Sequence, residues 1–546
     1  MIFEISDLDA LGRIGFIKIN NKKMDTPNLF PVIHPGKNII DVKELEAIGA
    51  QAIFTNAYLL YNNESLRNEA LKKGIHKFLD FNGIIATDSG AFQQYMYNED
   101  NIMIEAQTIE KFQEDIGSDF PVILDVPLQL NDSYDVARTK LNNTITRAKE
   151  NLIRRTRAES NWFGPIHGGK YLDLLKECCL KMNQLDFAVY AIGGLVKAYM
   201  DYRFDLTTQI LVTSKMYLAP EKPIHMFGLG LPQYFSLAIA CGCDLMDSAA
   251  YILYAKEDRY FTLSTGTKKL EELGEFPCHC PICTSYTPKE LKESVKSERI
   301  KLLAKHNLYL SFSELRTIRQ AIKDGNLWEL LELRIRNHPK LVNALKNLTK
   351  NAKYIEIFEK VYKNHGRLYS SIESMHRPEF YRYKSKLDKI YRPPKNVNVV
   401  VILPELDIKG DKSPSLNNWF KKIHFETNDS EKSQVFLFSP IYGLIPEELI
   451  DSYPLGQYET ISPLNSKLFF YSNSLRMSKQ FLMKYSSNYE KIYILTPANY
   501  YNEFNELCSF PKNHPIFRLN SIISKIYSSK VKKLNEINDL INELNS

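Results

Sequence analysis

Gly83-Ile84-Ile85-Ala86-Thr87-Asp88-Ser89-Gly90 reads as a short apolar strand that runs directly into polar and glycine residues. A brief, nearly continuous apolar run of this kind suits a strand buried on both faces. The layout recurs along the chain. Ala52-Ile53-Phe54-Thr55, Pro121-Val122-Ile123-Leu124, Phe187-Ala188-Val189-Tyr190-Ala191-Ile192 and Ile224-His225-Met226-Phe227 read the same way. Helical periodicity fills the intervals over 102–115, 134–157, 171–182 and 199–216. Strand followed by helix at this spacing predicts an α/β fold with a parallel sheet, and about eight such units close a (β/α)8 TIM barrel.

The residues at the strand ends carry the functional signal. Asp88 follows one strand and Asp125 another; His167-Gly168-Gly169, Gly193-Gly194, Gly228-Leu229-Gly230 and Asp247-Ser248-Ala249 follow four more. A barrel gathers the C-terminal ends of its strands on one face, where active sites lie. Any single one of these is readily a turn residue or a helix cap. Six in series predict a catalytic mouth.

A second pattern lies downstream. Pro277-Cys278-His279-Cys280-Pro281-Ile282-Cys283 packs three thiols into six residues, and His306 follows in Lys305-His306-Asn307. Three thiolates and an imidazole suit a closed, tetrahedral zinc site of the structural kind. Cys278, Cys280, Cys283 and His306 are the expected ligands. His279 stays a rival to His306, although adjacent residues rarely both reach one metal. The remaining cysteines, Cys178, Cys179, Cys241, Cys243 and Cys508, are scattered and outline no disulfide framework.

With 546 residues and 44% hydrophobic content, the chain can bury a large domain and at least one more. No apolar run reaches the ~18 residues of a membrane span. The acidic start Met1-Ile2-Phe3-Glu4-Ile5 lacks a signal-peptide layout. Free cysteines beside a thiolate metal site fit a reducing cytoplasm. The net charge of +6 is modest, but its distribution is not even. Basic residues outnumber acidic ones from Lys346 to Lys395, interleaved with Tyr354, Phe358, Tyr362, Tyr369, Tyr381, Tyr383 and Tyr391. That segment reads equally as a surface for phosphates and splayed bases or as a solvated helical connector.

The expected organisation is therefore a barrel over 1–345 with a zinc subdomain at about 274–310. A basic helical connector follows over 346–395, ending in Arg392-Pro393-Pro394. A second α/β domain spans 396–515, with strands at Val397–Leu403, Gln434–Phe438 and Lys491–Leu495, and a C-terminal helix spans 516–546.

Several stretches resemble the archaeal branch of the tRNA-guanine transglycosylases. They are Thr87-Asp88-Ser89-Gly90-Ala91-Phe92-Gln93, Asp244-Leu245-Met246-Asp247-Ser248-Ala249, the cysteine cluster and Leu302-Leu303-Ala304-Lys305-His306-Asn307-Leu308-Tyr309. Gly325-Asn326-Leu327-Trp328-Glu329-Leu330 and Arg377-Pro378-Glu379-Phe380-Tyr381-Arg382-Tyr383 look like archaeal members too, and Ser439-Pro440-Ile441-Tyr442-Gly443-Leu444-Ile445-Pro446-Glu447-Glu448-Leu449 resembles their accessory domain. The resemblance spans roughly residues 1 to 500, and the combination is far more specific than any one motif.

The resemblance implies exchange of guanine at position fifteen of the tRNA D-arm for 7-cyano-7-deazaguanine, a step towards archaeosine. It makes Asp247 the nucleophile that forms a covalent bond to ribose, and Asp88 the general acid and base. Asp125, Phe92, His167, Gly193, Gly194 and Leu195 fall in the base pocket, where Asp125 reads the purine edge and Phe92 stacks on the ring. His167 departs from the family, which usually has glutamine there. Archaeosine synthase, a paralogue, carries Pro-Cys-x-x-Lys-Pro-Tyr; here the stretch is Leu403-Pro404-Glu405-Leu406-Asp407-Ile408-Lys409-Gly410, while Asp88 and Asp247 are kept. That favours the transglycosylase over a synthase-like or non-catalytic tRNA-binding paralogue. Residues 505–546 are too short and too helical for the family's PUA RNA-binding domain, so none is expected complete here, and a separate PUA chain is a candidate partner. A homodimer paired through the zinc region is likewise implied, with tRNA, guanine and the deazaguanine as substrates.

Overall fold

The computed structural model describes residues 1–91, 105–157, 160–427, 432–460, 471–496, 500–501, 507–508, 514–527 and 529–546. The chain divides into two compact units, Met1–Glu359 and Lys360–Ser546.

The first unit opens with an antiparallel meander, β1 (Ile2–Asp9), β2 (Gly12–Ile19) and β3 (Lys22–Thr26). Eight parallel-paired strands follow: β4 (Asn28–Pro31), β5 (Ala52–Asn56), β6 (Ile84–Asp88), β7 (Phe120–Pro121), β8 (Phe163–Ile166), β9 (Val189–Ile192), β10 (Ile224–Met226) and β11 (Leu245–Ser248). Five form one sheet in the order β4-β11-β10-β9-β8, and three form another in the order β5-β6-β7. Single parallel bridges, Val32 to Phe54 and Val122 to Phe163, join the neighbourhood of β4 to β5 and that of β7 to β8. The fold is thus mixed α/β with parallel sheets, as the alternating pattern predicts. The run read as a strand over 121–124 is regular only at Phe120–Pro121 and then continues as a bridge at Val122.

Burial explains why these runs are apolar throughout rather than alternating with polar residues. Phe30, Ala52, Phe54, Ile84, Ala86, Phe120, Phe163, Val189, Ala191 and Leu245 pack into one cluster. Their strand neighbours Leu29, Ile53, Ile85, Ile166, Tyr190, Ile192 and Met246 pack into another that includes the surrounding helices. Successive side chains point to opposite faces, and both faces are dry. Ile17, Ile19 and Met24 of the meander join the first cluster. After β11, the antiparallel pair β12 (Arg259–Thr262) and β13 (Gly266–Lys269) leads to the long helix Lys296–Asp324.

A buried ion pair ties the meander to the parallel strands. Arg13 Nε and Nη2 donate to Asp244 Oδ1 and Oδ2, each at 2.8 Å. Arg13 Nη2 also donates to the Lys222 carbonyl at 2.7 Å, and Asp244 Oδ2 accepts from the Ile224 amide at 2.8 Å. The pair therefore sets where β10 begins relative to β2.

The first unit extends past the expected end at 345. Glu359 is buried, and its Oε2 accepts hydrogen bonds from the Ala10 amide at 2.9 Å and the Trp328 indole at 3.3 Å. The helices Pro339–Thr349 and Ala352–Phe358 consequently belong to this unit. The basic helical connector expected over 346–395 is thus not one element. Its second half holds a strand, β14 (Arg367–Tyr369), and the helix Pro378–Lys389.

In the second unit the main sheet has the order β17-β16-β15-β19-β22, built from β15 (Val399–Pro404), β16 (Ser433–Ser439), β17 (Gly443–Pro446), β19 (Lys491–Leu495) and β22 (Val531–Leu534). All its pairings are parallel except β16 with β17. β14 pairs in parallel with β18 (Tyr458–Thr460), and β20 (Tyr500–Tyr501) pairs with β21 (Leu507–Cys508). The single helix expected over 516–546 is instead helix Pro515–Tyr527, strand β22 and helix Ile537–Asn545. Lys532 and Lys533 hide the strand in the sequence, and they are exposed where β22 forms the sheet edge.

Removing one member of a buried pair strands the other charge, so Arg13→Ala should lower stability by about 3–5 kcal/mol. Equilibrium urea unfolding measures it.

Candidate active site and metal centre

Parallel pairing brings the C-terminal strand ends level. Asn56 on β5 sits opposite Asp88 on β6, Ile166 opposite Ile192, and Met226 opposite both Ile192 and Met246. The polar residues singled out in the sequence therefore emerge on one side of their sheets, and each is held by a neighbour.

Asp247, on β11, keeps a side chain 13% exposed. Its Oδ1 accepts from His225 Nε2 at 2.9 Å and from the Gly228 amide at 3.1 Å. Both donors come from β10 and the turn that follows it. Asp88 closes β6, where its Oδ2 accepts from Asn56 Nδ2 at 3.0 Å. Asn56 is itself fixed, because its Oδ1 caps the helix Ala57–Asn62 through the Leu59 amide at 2.9 Å.

Asp125 lies beyond β7. Arg147 Nη1 donates to the carbonyls of Leu124 and Asp125, both at 3.0 Å, so the helix Tyr134–Arg154 clamps that loop. The Asp125 carboxylate, 11% exposed, is in short contact through Oδ2 with His167 Nε2. His167 is buried, and its amide donates to Cys178 Sγ at 3.3 Å. Burial pushes that thiol up to about 12, so Cys178 is a packing residue, not a reactive one.

Gly193 and Gly194 are required by close approach. A Cβ on Gly193 would lie 2.7 Å from His167 Cε1, and Gly194 adopts φ +76° with the Leu128 carbonyl 2.5 Å from where its Cβ would be. The imidazole therefore lies against bare backbone. Leu195 is buried and starts the helix Val196–Met200, so it offers the site its backbone only. Phe92 lies outside the described residues.

His225 and Asn56 were not singled out in the sequence. Asn56 looks like an ordinary cap, and that is half its role. His225 left one signal, a titratable residue inside the apolar run Ile224–Phe227.

The basic, aromatic stretch before the second α/β domain divides differently from the stacking surface that was one of its two readings. Tyr369 and Leu387 are buried core, and the Tyr383 hydroxyl donates to the Leu444 carbonyl. Tyr354 donates to the Lys215 carbonyl at 2.8 Å. Tyr362 is the exposed one, at 60%.

The cysteine cluster assembles with the expected histidine. The ligand atoms of Cys278, Cys280, Cys283 and His306 all lie within 4.8 Å of one another, and His279 is exposed. Cys280 Sγ is 3.6 Å from Cys283 Sγ, and His306 Nδ1 is 3.4 and 3.3 Å from those two sulfurs. A tetrahedral metal with bonds of about 2.0–2.3 Å has edges of this length. His306 Nε2 donates to the Phe261 carbonyl at 3.1 Å, which leaves Nδ1 for a metal. The Tyr260 ring stacks on His306 with centroids 3.7 Å apart.

A sequence model of the family described as queuine tRNA-ribosyltransferase matches residues 7–340. Curated relatives named tRNA-guanine(15) transglycosylase align over most of the chain. The one from Methanocaldococcus jannaschii is 42% identical over 470 residues, 84% of this chain and 68% of that protein. That from Methanococcus vannielii is 38% identical over 542 residues, covering 97% and 79%. That from Pyrococcus furiosus is 43% identical over 389 residues, covering 71% and 65%.

The four-ligand geometry predicts that Co2+ added to metal-stripped protein gives tetrahedral d–d and thiolate charge-transfer absorption. Cys283→Ser should weaken the charge-transfer band and bind the metal less tightly, as titration of the absorbance will report.

Proposed function

The chain belongs to the queuine tRNA-ribosyltransferase family, and on that premise we propose that it exchanges guanine at position fifteen of the tRNA D-arm for 7-cyano-7-deazaguanine. The observation that carries this reading is a pair of strand-end carboxylates, Asp247 and Asp88, each oriented by a donor from the adjacent strand.

In the proposed mechanism Asp247 attacks C1′ of the ribose while the C1′–N9 bond breaks, and the bonding pair leaves with guanine. Asp88 supplies the proton that guanine takes up. The incoming base then gives a proton to Asp88, its N9 pair bonds to C1′, and the ester pair returns to Asp247. One glycosidic bond is lost and an equivalent one made, so no cofactor is consumed. The two carboxylates are held in different surroundings, which lets one serve as nucleophile and the other as proton carrier.

Asp125, with the backbone of Gly193, Gly194 and Leu195, forms the proposed base pocket, and Phe92 is its proposed stacking ring. His167 stands where the family resemblance implies glutamine. With Nε2 committed to Asp125, it orients that carboxylate instead of donating to the purine carbonyl.

The scaffold proposed for this site is a closed (β/α)8 barrel. Its support is that the two sheets and the two single bridges link eight parallel strands in cyclic order. We assign Zn2+ to the cysteine–histidine cluster as a structural ion. Four protein ligands fill a tetrahedral zinc and leave it no open position, and bound there it would clamp the segment around 278–283 to the helix that carries His306. The proposed assembly is a homodimer paired through this region. Residues 1–359 would hold the catalytic centre and 360–546 the accessory domain. Among the described residues no helix is long and apolar enough to cross a membrane.

Labelled guanine supplied with archaeal tRNA transcripts tests the reading. Wild type should incorporate label and Asp247→Ala should not. Lack of incorporation by wild type, with and without a PUA-domain protein added, contradicts it. His167→Ala should raise KM for the base by about 10-fold, with a smaller change in kcat, because it frees a carboxylate that binds rather than reacts. Steady-state exchange kinetics separate the two constants.

A further inference from the structure

His225 stands apart from the other residues at the strand ends because it lies within β10 and not beyond it. Its side chain is fully buried. The ring sits among Phe30, Phe54, Phe163 and Phe227, with centroid distances of 5.7, 5.9, 5.1 and 5.0 Å. A histidine in an aromatic cluster needs a reason, since burying an imidazole without partners is costly. Nε2 has one, Asp247 Oδ1 at 2.9 Å, whereas Nδ1 is buried and has no partner among the described residues.

These surroundings assign the tautomer. A hydrogen on Nδ1 would be a donor with no acceptor, enclosed by phenylalanines. The hydrogen therefore sits on Nε2 and points at Asp247. Together with the Gly228 amide it gives Oδ1 two donors, while Oδ2 has no hydrogen bond among the described residues. The two oxygens of one carboxylate are thus unequal.

We propose that His225 is a positioning residue that selects Oδ2 of Asp247 as the attacking atom. The proposal rests on the functional reading above. Oδ2 bonds to C1′ as the C1′–N9 pair departs with guanine, which takes up one proton. Oδ1 becomes the ester carbonyl and keeps both donors. On return, the incoming base loses its N9 proton, its pair bonds to C1′, and the Oδ2–C1′ pair reverts to the carboxylate. The Oδ1 donors stay in place throughout, so neither step requires the nucleophile to turn. A histidine with a bare Nδ1 anchors the carboxylate without setting a fixed cation beside it. A lysine or arginine there would hold the same oxygen but neutralise the charge that attacks. The aromatic packing fixes the ring plane and hence the direction of the N–H.

Single-turnover formation of the protein–tRNA adduct tests this in wild type, His225→Phe, His225→Gln and Asp247→Asn, with thermal midpoints to check folding. His225→Phe keeps the ring volume and loses the donor. It should slow adduct formation by about 10- to 100-fold, with KM for the base changed less than about 3-fold. His225→Gln, which restores an N–H, should recover most of that loss, a rescue that a packing role would not produce. Asp247→Asn should form no adduct. Wild-type rates in a folded His225→Phe overturn the proposal while the functional reading stands. An absence of adduct in wild type overturns that reading and the proposal with it. If His225→Phe does not fold, 15N chemical shifts of histidine-labelled wild type decide: an Nε2–H ring for His225 is expected, and an Nδ1–H ring refutes the assignment.

Discussion

Parallel strand pairing is the constraint on which the rest depends. Its crossovers cover the outer faces of the strands with helices, and the alternating side chains fill both sides of each ladder with apolar residues. Polar chemistry is left little place except the strand ends. Asp88 closes β6, and Gly193 and Gly228 follow β9 and β10, where the strands' full burial ends; His167 follows β8 and stays buried against Asp125. The Arg13–Asp244 pair works at the opposite ends of these strands, before β10 and β11 begin. It ties down the origin from which the functional register is counted.

The site is a set of carboxylates held by partners from other strands or loops. Asn56 holds Asp88, His225 and Gly228 hold Asp247, and His167 holds Asp125. A carboxylate free to rotate would have to be ordered during reaction; here the ordering is done by folding. Two of these four partners are histidines, and they differ in consequence. His225 faces the proposed nucleophile, so its loss should appear in the rate of bond making. His167 faces the proposed base reader, so its loss should appear in affinity. His167 Cε1 comes within 2.7 Å of where a Cβ on Gly193 would lie, so the imidazole fits because the backbone there carries no side chain.

Much of the first unit was legible in the sequence because two-face burial leaves a strong mark. Ile84–Thr87 and Ala52–Thr55 have no polar interruption, and helices separate them. The cysteine spacing was legible for a similar reason, since metal chemistry demands particular atoms within one loop. What stayed hidden has physical causes. β22 carries two lysines at a sheet edge and so reads as polar. β14 is three residues long and is stabilised by a partner far along the chain, β18. Tyr369 and Tyr383 lie among lysines and arginines in sequence, but folding buries Tyr369 and ties Tyr383 to Leu444; local charge says nothing of that. His225 was visible only as a titratable residue inside an apolar strand, and its meaning depended on where β11 would place Asp247.

Which atom of the protein becomes bonded to tRNA is the most direct test of this account. Wild-type protein mixed with tRNA in the absence of free base, denatured and digested, gives peptides whose masses locate the ribose adduct. The account predicts the adduct on the peptide containing Asp247, and none from the Asp247→Asn protein. An adduct on the peptide containing Asp88, or exchange that proceeds undiminished in Asp247→Asn, would contradict it.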